Sequence, residues 1–268
     1  MRVPSPRPTN ASGLSSANGT KGRVTASHLV VRASPPFRVP RDPDSLERAL
    51  TRDLERDLQR QVEHDSRSLL DGPELERARA MTQPAARDDF LAGRLAQRKL
   101  AAALLDVPAS DLTACYSCPR CGTGTHISHG RPGYLLRGAA APLLLSLSRA
   151  AGWTLLAAVV DPEPGLRLGI DVEDPARTDF EGFDAVVLTP AERLDLAGLS
   201  GAPLLQARAR LWARKEAWLK MTGTGLQTAP DTVDVLAGGM DGCAGLRDLP
   251  PAETGLPSNL VAAVALCH

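Results

Sequence analysis

The spacing of apolar positions changes character along the chain. Leu46, Leu50, Leu54, Leu58 and Val62 recur every four residues, which predicts an amphipathic helix with a solvated charged face. Asp44 is its expected N-cap, with Glu47 three residues on completing an Asp form of the capping box. A second helix is predicted after Pro73 (ELERARAM). A third runs from about Arg87 to Leu105, with Leu91, Leu95, Leu100 and Leu104 buried. Residues 115–134 break the pattern with Cys, Gly, His and Pro and read as a loop. Short apolar runs follow, at Pro142 to Ser148, Trp153 to Val160 and Leu166 to Glu173, and these have the length of strands. Two helices, Thr189 to Leu199 and Leu204 to Thr222, are separated by Gly198, Gly201 and Pro203, and Gly223 and Gly225 stop the second. Val233 to Leu236 and Leu260 to Leu266 read as closing strands. This order suits an α+β fold.

Composition narrows the function. The chain has 268 residues, 43% hydrophobic, enough for a sizeable core. Residues 1–43 read as a disordered leader and Pro-rich linker with one short strand at 28–32. Lys plus Arg equals Asp plus Glu at 31 each, so a strongly basic nucleic-acid binder is excluded. Aromatics at 3% argue against base-stacking platforms. No apolar run approaches the ~20 residues of a membrane span. Five cysteines, three of them clustered, do not form a secreted disulfide framework, and Cys243 and Cys267 read as single buried thiols. With no apolar signal segment, the expectation is a cytoplasmic protein.

Candidate chemistry concentrates late in the chain. In Gly169-Ile170-Asp171-Val172-Glu173, period-2 alternation turns Ile170 and Val172 to the core and puts Asp171 and Glu173 together on the other face. Paired carboxylates repel unless they are solvated or hold a cation. In the later helix, Trp212, Glu216 and Lys220 lie four apart on one face. The chain writes Arg almost everywhere, yet Lys215 and Lys220 fall here. Asp171, Glu173 and Glu216 would supply the oxygen donors that hard Mg²⁺ prefers, with Lys220 a point charge beside a phosphate. That set of groups suits magnesium-assisted phosphoryl transfer.

These segments resemble a known signature. GIDVE, Glu192 within TPAER, and WARKEAWLKMTGTGL are similar to the 4′-phosphopantetheinyl transferase superfamily pattern G-[IV]-D-[IV]-E followed by W-x-x-K-E-[AS]-x-x-K-x-x-G-x-G-L. Asp171, Glu173, Trp212, Lys215, Glu216, Lys220, Gly223, Gly225 and Leu226 fall on it. Ala92-Gly93-Arg94-Leu95 with Arg98-Lys99-Leu100 resembles a helix of the larger, surfactin-synthetase-activating type, and Gly130-Arg131-Pro132 resembles its G-[KR]-P. The likeness covers roughly residues 69–268. Where the family has a strand reading N-[LI]-S-H-[ST], this chain has Ser146-Leu147-Ser148-Arg149-Ala150, keeping the Ser and replacing the His with an Arg able to grip phosphate bidentately.

The resemblance implies two similar α+β halves, 44–160 and 161–268, related by a pseudo-twofold axis with the active site in the cleft between them. It implies a monomeric holo-[acyl-carrier-protein] synthase that moves 4′-phosphopantetheine from coenzyme A to a serine of an apo acyl or peptidyl carrier protein, releasing 3′,5′-ADP. Mg²⁺ would sit on Asp171, Glu173 and Glu216. Glu216 and Lys220 would be catalytic. Arg131, Pro132, Ser148, Arg149 and Lys220 would bind coenzyme A. No nucleic acid or membrane partner is implied.

One cluster lies outside this picture. Cys118, Cys121, His126 and His129 put four potential zinc ligands within twelve residues. The spacing is shorter than in the usual fingers and no second CxxC follows, so a Gly-rich loop leading His129 into Gly130-Arg131-Pro132 is the preferred reading over structural Zn²⁺. Two other functions remain: a zinc-loop binding module, and a coenzyme A-binding relative with reduced activity at Arg149.

Overall fold

The computed structural model describes residues 29–36, 47–236 and 245–268. The expected cap Asp44, the leader and Cys243 lie outside these. The chain opens with β1 (Leu29–Ser34) and three helices, α1 (Glu47–Leu69), α2 (Gly72–Arg79) and α3 (Pro84–Leu105). Five short strands follow: β2 (Leu112–Ala114), β3 (Tyr116–Cys118), β4 (Gly122–Gly124), β5 (Tyr134–Leu136) and β6 (Ala139–Ala140). Then come the longer β7 (Leu143–Ala150), β8 (Trp153–Val160) and β9 (Arg167–Glu173). The remainder is α4 (Phe183–Val187), α5 (Pro190–Asp195), α6 (Gly201–Thr222), β10 (Leu246–Leu249), α7 (Pro251–Thr254) and β11 (Val261–Cys267).

Helices and sheets together make this an α+β chain. Two antiparallel three-stranded sheets, ordered β1-β8-β7 and β10-β11-β9, carry the core. Leu155, Ala157 and Val159 of β8 interleave with Leu168, Ile170 and Val172 of β9 and with Ala262 and Val264 of β11, so one apolar layer lies between the sheets. The alternate face of β8 presents Ala158 to Ala101 and Ala102 of α3. The alternate face of β11 presents Ala263 and Ala265 to Ala213, Ala217 and Met221 of α6. The layer order is therefore helix, sheet, sheet, helix. The edge strands β7 and β9 are joined where Ile170 N–H donates to Ser146 Oγ at 3.0 Å.

A solvated edge for β9 does not hold. Ile170 and Val172 face the inter-sheet core as expected, but the opposite face is covered by α6. Gly169 makes this possible, because a Cβ there would sit 2.0 Å from the Ala217 carbonyl oxygen and 2.5 Å from the Met221 nitrogen. The small residues Ala213 and Ala217 meet it from the helix side. Among the described residues, no helix is long and apolar enough to cross a membrane.

Other local readings shift for identifiable reasons. Residues 115–134 hold the β3–β4 hairpin and the start of β5 rather than a plain loop. Val233 to Leu236 is not a strand. Its backbone groups are taken by side chains, with Lys215 Nζ donating to Val233 O and Val235 N–H donating to Glu192 Oε1 at 2.9 Å. Cys267 takes part in a disulfide and is not the single thiol expected.

Gly169→Ala is expected to push α6 off β9, at a cost of at least ~1–3 kcal/mol of overpacking. Gly72→Ala, with open space around its Cβ, should leave stability nearly unchanged. Urea melts of the two variants against the parent check this.

Candidate functional site

The packing of α6 on β9 sets the geometry of the charged residues. Lys220, in the last turn of α6, reaches back to Asp171 Oδ1 at 2.6 Å and to the Ile170 carbonyl at 3.2 Å. Ser148 Oγ of β7 donates to the same Asp171 Oδ1 at 2.6 Å. Asp171 is only 2% exposed, and its Oδ2 is buried with no donor in reach. Glu173 and Glu216 stand half-buried beside it.

The electrostatics of this cluster are strained. Burial first, then the neighbouring Asp171 charge, push the Glu173 carboxyl up to about 8, with Lys220 opposing. Burial and Asp171 likewise raise Glu216. Carboxylates this close must share a proton or a cation. The orphaned Asp171 Oδ2 and the two raised glutamates fit an oxygen-donor site for a divalent cation. Their ligating atoms do not close into a group within 4.8 Å, which among the described residues only Cys118, Cys121 and His129 do.

Arg131 forms the next wall. Its Nη2 donates to the Met221 carbonyl at 2.8 Å and the Lys220 carbonyl at 3.4 Å, capping the last turn of α6. Gly223 follows in the left-handed region at φ 80°, and a Cβ there would meet Arg131 Nη2 at 3.4 Å. A cavity of about 410 Å³ opens here, lined by Arg131, Pro132, Ser146, Lys220, Gly223 and Gly225 among others.

Comparison with known proteins bears on this region. Residues 167–238, which carry β9 and α6, match the family model of the 4′-phosphopantetheinyl transferase superfamily. On this segment the chain is similar to the phosphopantetheinyl transferases. It is also 30% identical over 123 residues to 4′-phosphopantetheinyl transferase 1 of Fusarium mangiferae, a match covering 38% of this chain and 42% of that protein. The chain thus spans less than half the length of that curated relative.

Against the superfamily signature, Asp171, Glu173, Glu216 and Lys220 come together. Lys215, also on the signature, does not join them. It is fully buried on another side of α6, 2.6 Å from Glu192 Oε2, and donates to the Pro230 and Val233 carbonyls. Glu192 is equally buried and also accepts Thr189 N–H at 2.9 Å, so the pair pins two loop segments to α6.

Ser148 and Arg149 part company because neighbours on a strand face opposite ways. Arg149 turns to α3, where its Nη1 donates to the Asp89 carbonyl at 3.2 Å and its guanidinium lies 5.6 Å from the Phe90 ring centre. Arg94 and Arg77 approach the same ring at 5.1 and 5.6 Å. Burial, with Arg94 adding repulsion, lowers both Arg77 and Arg149. The convergence of three cations on Phe90 was not read from the sequence, although Arg77 and Arg94 stood within the segments of resemblance. Nor was the role of Asp71. Its Oδ2 accepts from Arg98 Nη2 at 2.5 Å and from Ala114 N–H at 2.6 Å, while buried Glu74 accepts from Tyr116 Oη at 2.6 Å. The D-x-x-E spacing of Asp71 and Glu74 was the available signal.

Glu173 holds its proton well above the ordinary carboxylate range. Between pH 4.5 and about 8 this carboxyl binds more proton in the folded chain than in the unfolded one, so its contribution to stability should fall as pH rises through that window. Added Mg²⁺ should raise the melting temperature at the upper end and not at the lower, where the carboxyl is protonated. Thermal melts across the window, with and without Mg²⁺, check both. Separately, Lys215→Ala strands buried Glu192 and should cost about 3–5 kcal/mol, measured by denaturant unfolding.

Proposed function

We propose that this chain transfers 4′-phosphopantetheine from coenzyme A to a serine of an apo acyl or peptidyl carrier protein, as a holo-[acyl-carrier-protein] synthase releasing 3′,5′-ADP. The observation that carries this reading is buried Asp171, gripped by Lys220 and Ser148 with Oδ2 unpartnered, beside Glu173, Glu216 and a cavity walled by Arg131. Phosphoryl-group transfer depends mainly on positioning and charge neutralisation, and these groups supply both.

Asp171, Glu173 and Glu216 would hold Mg²⁺, which when bound supplies charge neutralisation at the pyrophosphate. Arg131 and Lys220 face the cavity as cations for the phosphate groups, with Pro132 shaping the wall. Glu216 would take the proton of the carrier serine as it attacks the β-phosphate. Its raised pKa moves it toward the value a base near neutrality needs. The serine oxygen forms the new P–O bond, the bond to 3′,5′-ADP breaks, and Lys220 offsets the leaving charge. Arg149 would offer positive charge to the phosphoadenosine end of coenzyme A. The halves 44–160 and 161–268 would be related by a pseudo-twofold axis, as in the larger, single-chain type, and one cytoplasmic chain would suffice.

Mass spectrometry of a co-expressed apo carrier protein should show a gain of one phosphopantetheine. No gain with several carriers would sink the proposal. Glu216→Gln should lower kcat by at least ~10²-fold while coenzyme A affinity is largely kept. Lys220→Ala should fall comparably, and near-parent kcat in both would remove these residues from the mechanism.

A further inference from the structure

The β3–β4 hairpin supplies no charged group to the transfer just proposed, yet it gathers soft ligands. Cys118 ends β3, Cys121 lies in the turn, and His129 comes back beside them from the far side of β4. Their ligating atoms all lie within 4.8 Å of one another. The Cys121 Sγ to His129 Nε2 distance is 3.4 Å. A tetrahedron with metal–sulfur bonds of about 2.3 Å and metal–nitrogen bonds of about 2.0–2.1 Å has an S···N edge of roughly 3.6 Å. The gap fits a bridging ion. All three thiols in this part of the chain, Cys115, Cys118 and Cys121, are free, and Cys121 and His129 are exposed to incoming metal.

We propose that Cys118, Cys121 and His129 bind one structural Zn²⁺, with water in the fourth position; His126, also a candidate by sequence, does not join the group. This does not rest on the transferase reading. Thiolate and imidazole select zinc over the hard cation suited to the carboxylates. Binding releases two thiol protons and leaves the ligands otherwise unchanged.

The ion has a defined mechanical task. His129 directly precedes Gly130 and Arg131, and Ser117 directly precedes Cys118. Ser117 and Arg131 exchange backbone hydrogen bonds, at 2.9 Å for Ser117 N–H to Arg131 O and 2.8 Å for Arg131 N–H to Ser117 O. Gly130, at φ 87°, leaves room for that crossing, since a Cβ would fall 2.3 Å from the Ser117 carbonyl oxygen. Ser117 and Pro119 line the same cavity as Arg131. Zinc would therefore lock the hairpin to the segment that carries Arg131 and hold one wall of the cavity in place.

The test uses the full chain purified without a polyhistidine tag. Elemental analysis should find about one zinc per chain, and cobalt(II) substitution should give thiolate charge-transfer and tetrahedral d–d bands. Cys118→Ser/Cys121→Ser should lose the zinc. His129→Ala should weaken it by more than ~100-fold in chelator competition, beyond the ~10–100-fold that loss of an outer-shell partner costs. Stripping zinc from the parent should speed amide exchange at Ser117 and Arg131. Even if the variants misfold, the parent decides the matter. A parent that takes up neither zinc nor cobalt, with Cys118 and Cys121 recovered as alkylatable thiols or as a disulfide, overturns the proposal. Unchanged exchange on stripping overturns the positioning role.

Discussion

The distance between α6 and β9 governs the rest of the molecule. At Gly169 the helix backbone comes so near the strand that no side chain fits between them. That approach converts an exposed sheet face into a buried one. It also brings residues some fifty positions apart in sequence to within a hydrogen bond, as with Lys220 and Asp171. A helix a few ångströms farther out would leave Lys220 in solvent and its partners as ordinary surface acids. The alanines on the facing surfaces of α6 and β11 extend the same tight spacing along the helix. Scarce aromatics and abundant alanine, which look at first like a weak core, are what such close layers require.

Charge is handled differently on the two sides of α6. Lys215 is compensated completely: one carboxylate and two carbonyls surround it, and Glu192 in turn collects two backbone donors. Such an arrangement organises a loop and has no capacity left for a ligand. The other side is left unbalanced, with three carboxyl groups around one ammonium and a buried oxygen without a donor. Structural ion pairs are closed in this way, whereas sites that bind something keep an unmet requirement.

Much of this was legible in the sequence where a pattern was local. Strand β8 spans Trp153 to Val160, as its apolar run indicated, and α6 ends at the glycine expected to stop it. The i,i+4 spacing of Glu216 and Lys220 and the alternation of Asp171 and Glu173 each placed their residues on one face. Fates decided by long-range partners were not legible. Val233 and Val235 have the composition of a strand, but a buried lysine and glutamate claimed their backbone groups first. Arg149 was grouped with Ser148 as a neighbour, although strand alternation sends it to α3. The short strands β2 to β6 lack the apolar runs that announce a strand; β2, β3 and β5 pack into one cluster with α3 and β7, and β4 and β6 are paired to β3 and β5.

The seam between the two sheets carries a consequence of its own. Beside the shared apolar layer, β7 and β9 are joined through serine hydroxyls, Ser146 accepting from Ile170 N–H and Ser148 donating to Asp171. A hydroxyl is a short tether with one rotatable proton, and its bond fails within an ångström of stretch. Any rocking of one sheet against the other must therefore lengthen the Ser148–Asp171 bond early. Losing that donor leaves Lys220 as the one side-chain hydrogen-bond donor to Asp171 Oδ1 among the described residues. A shift of one sheet against the other would thereby be felt first at one buried carboxylate, the residue on which α6, β7 and β9 converge.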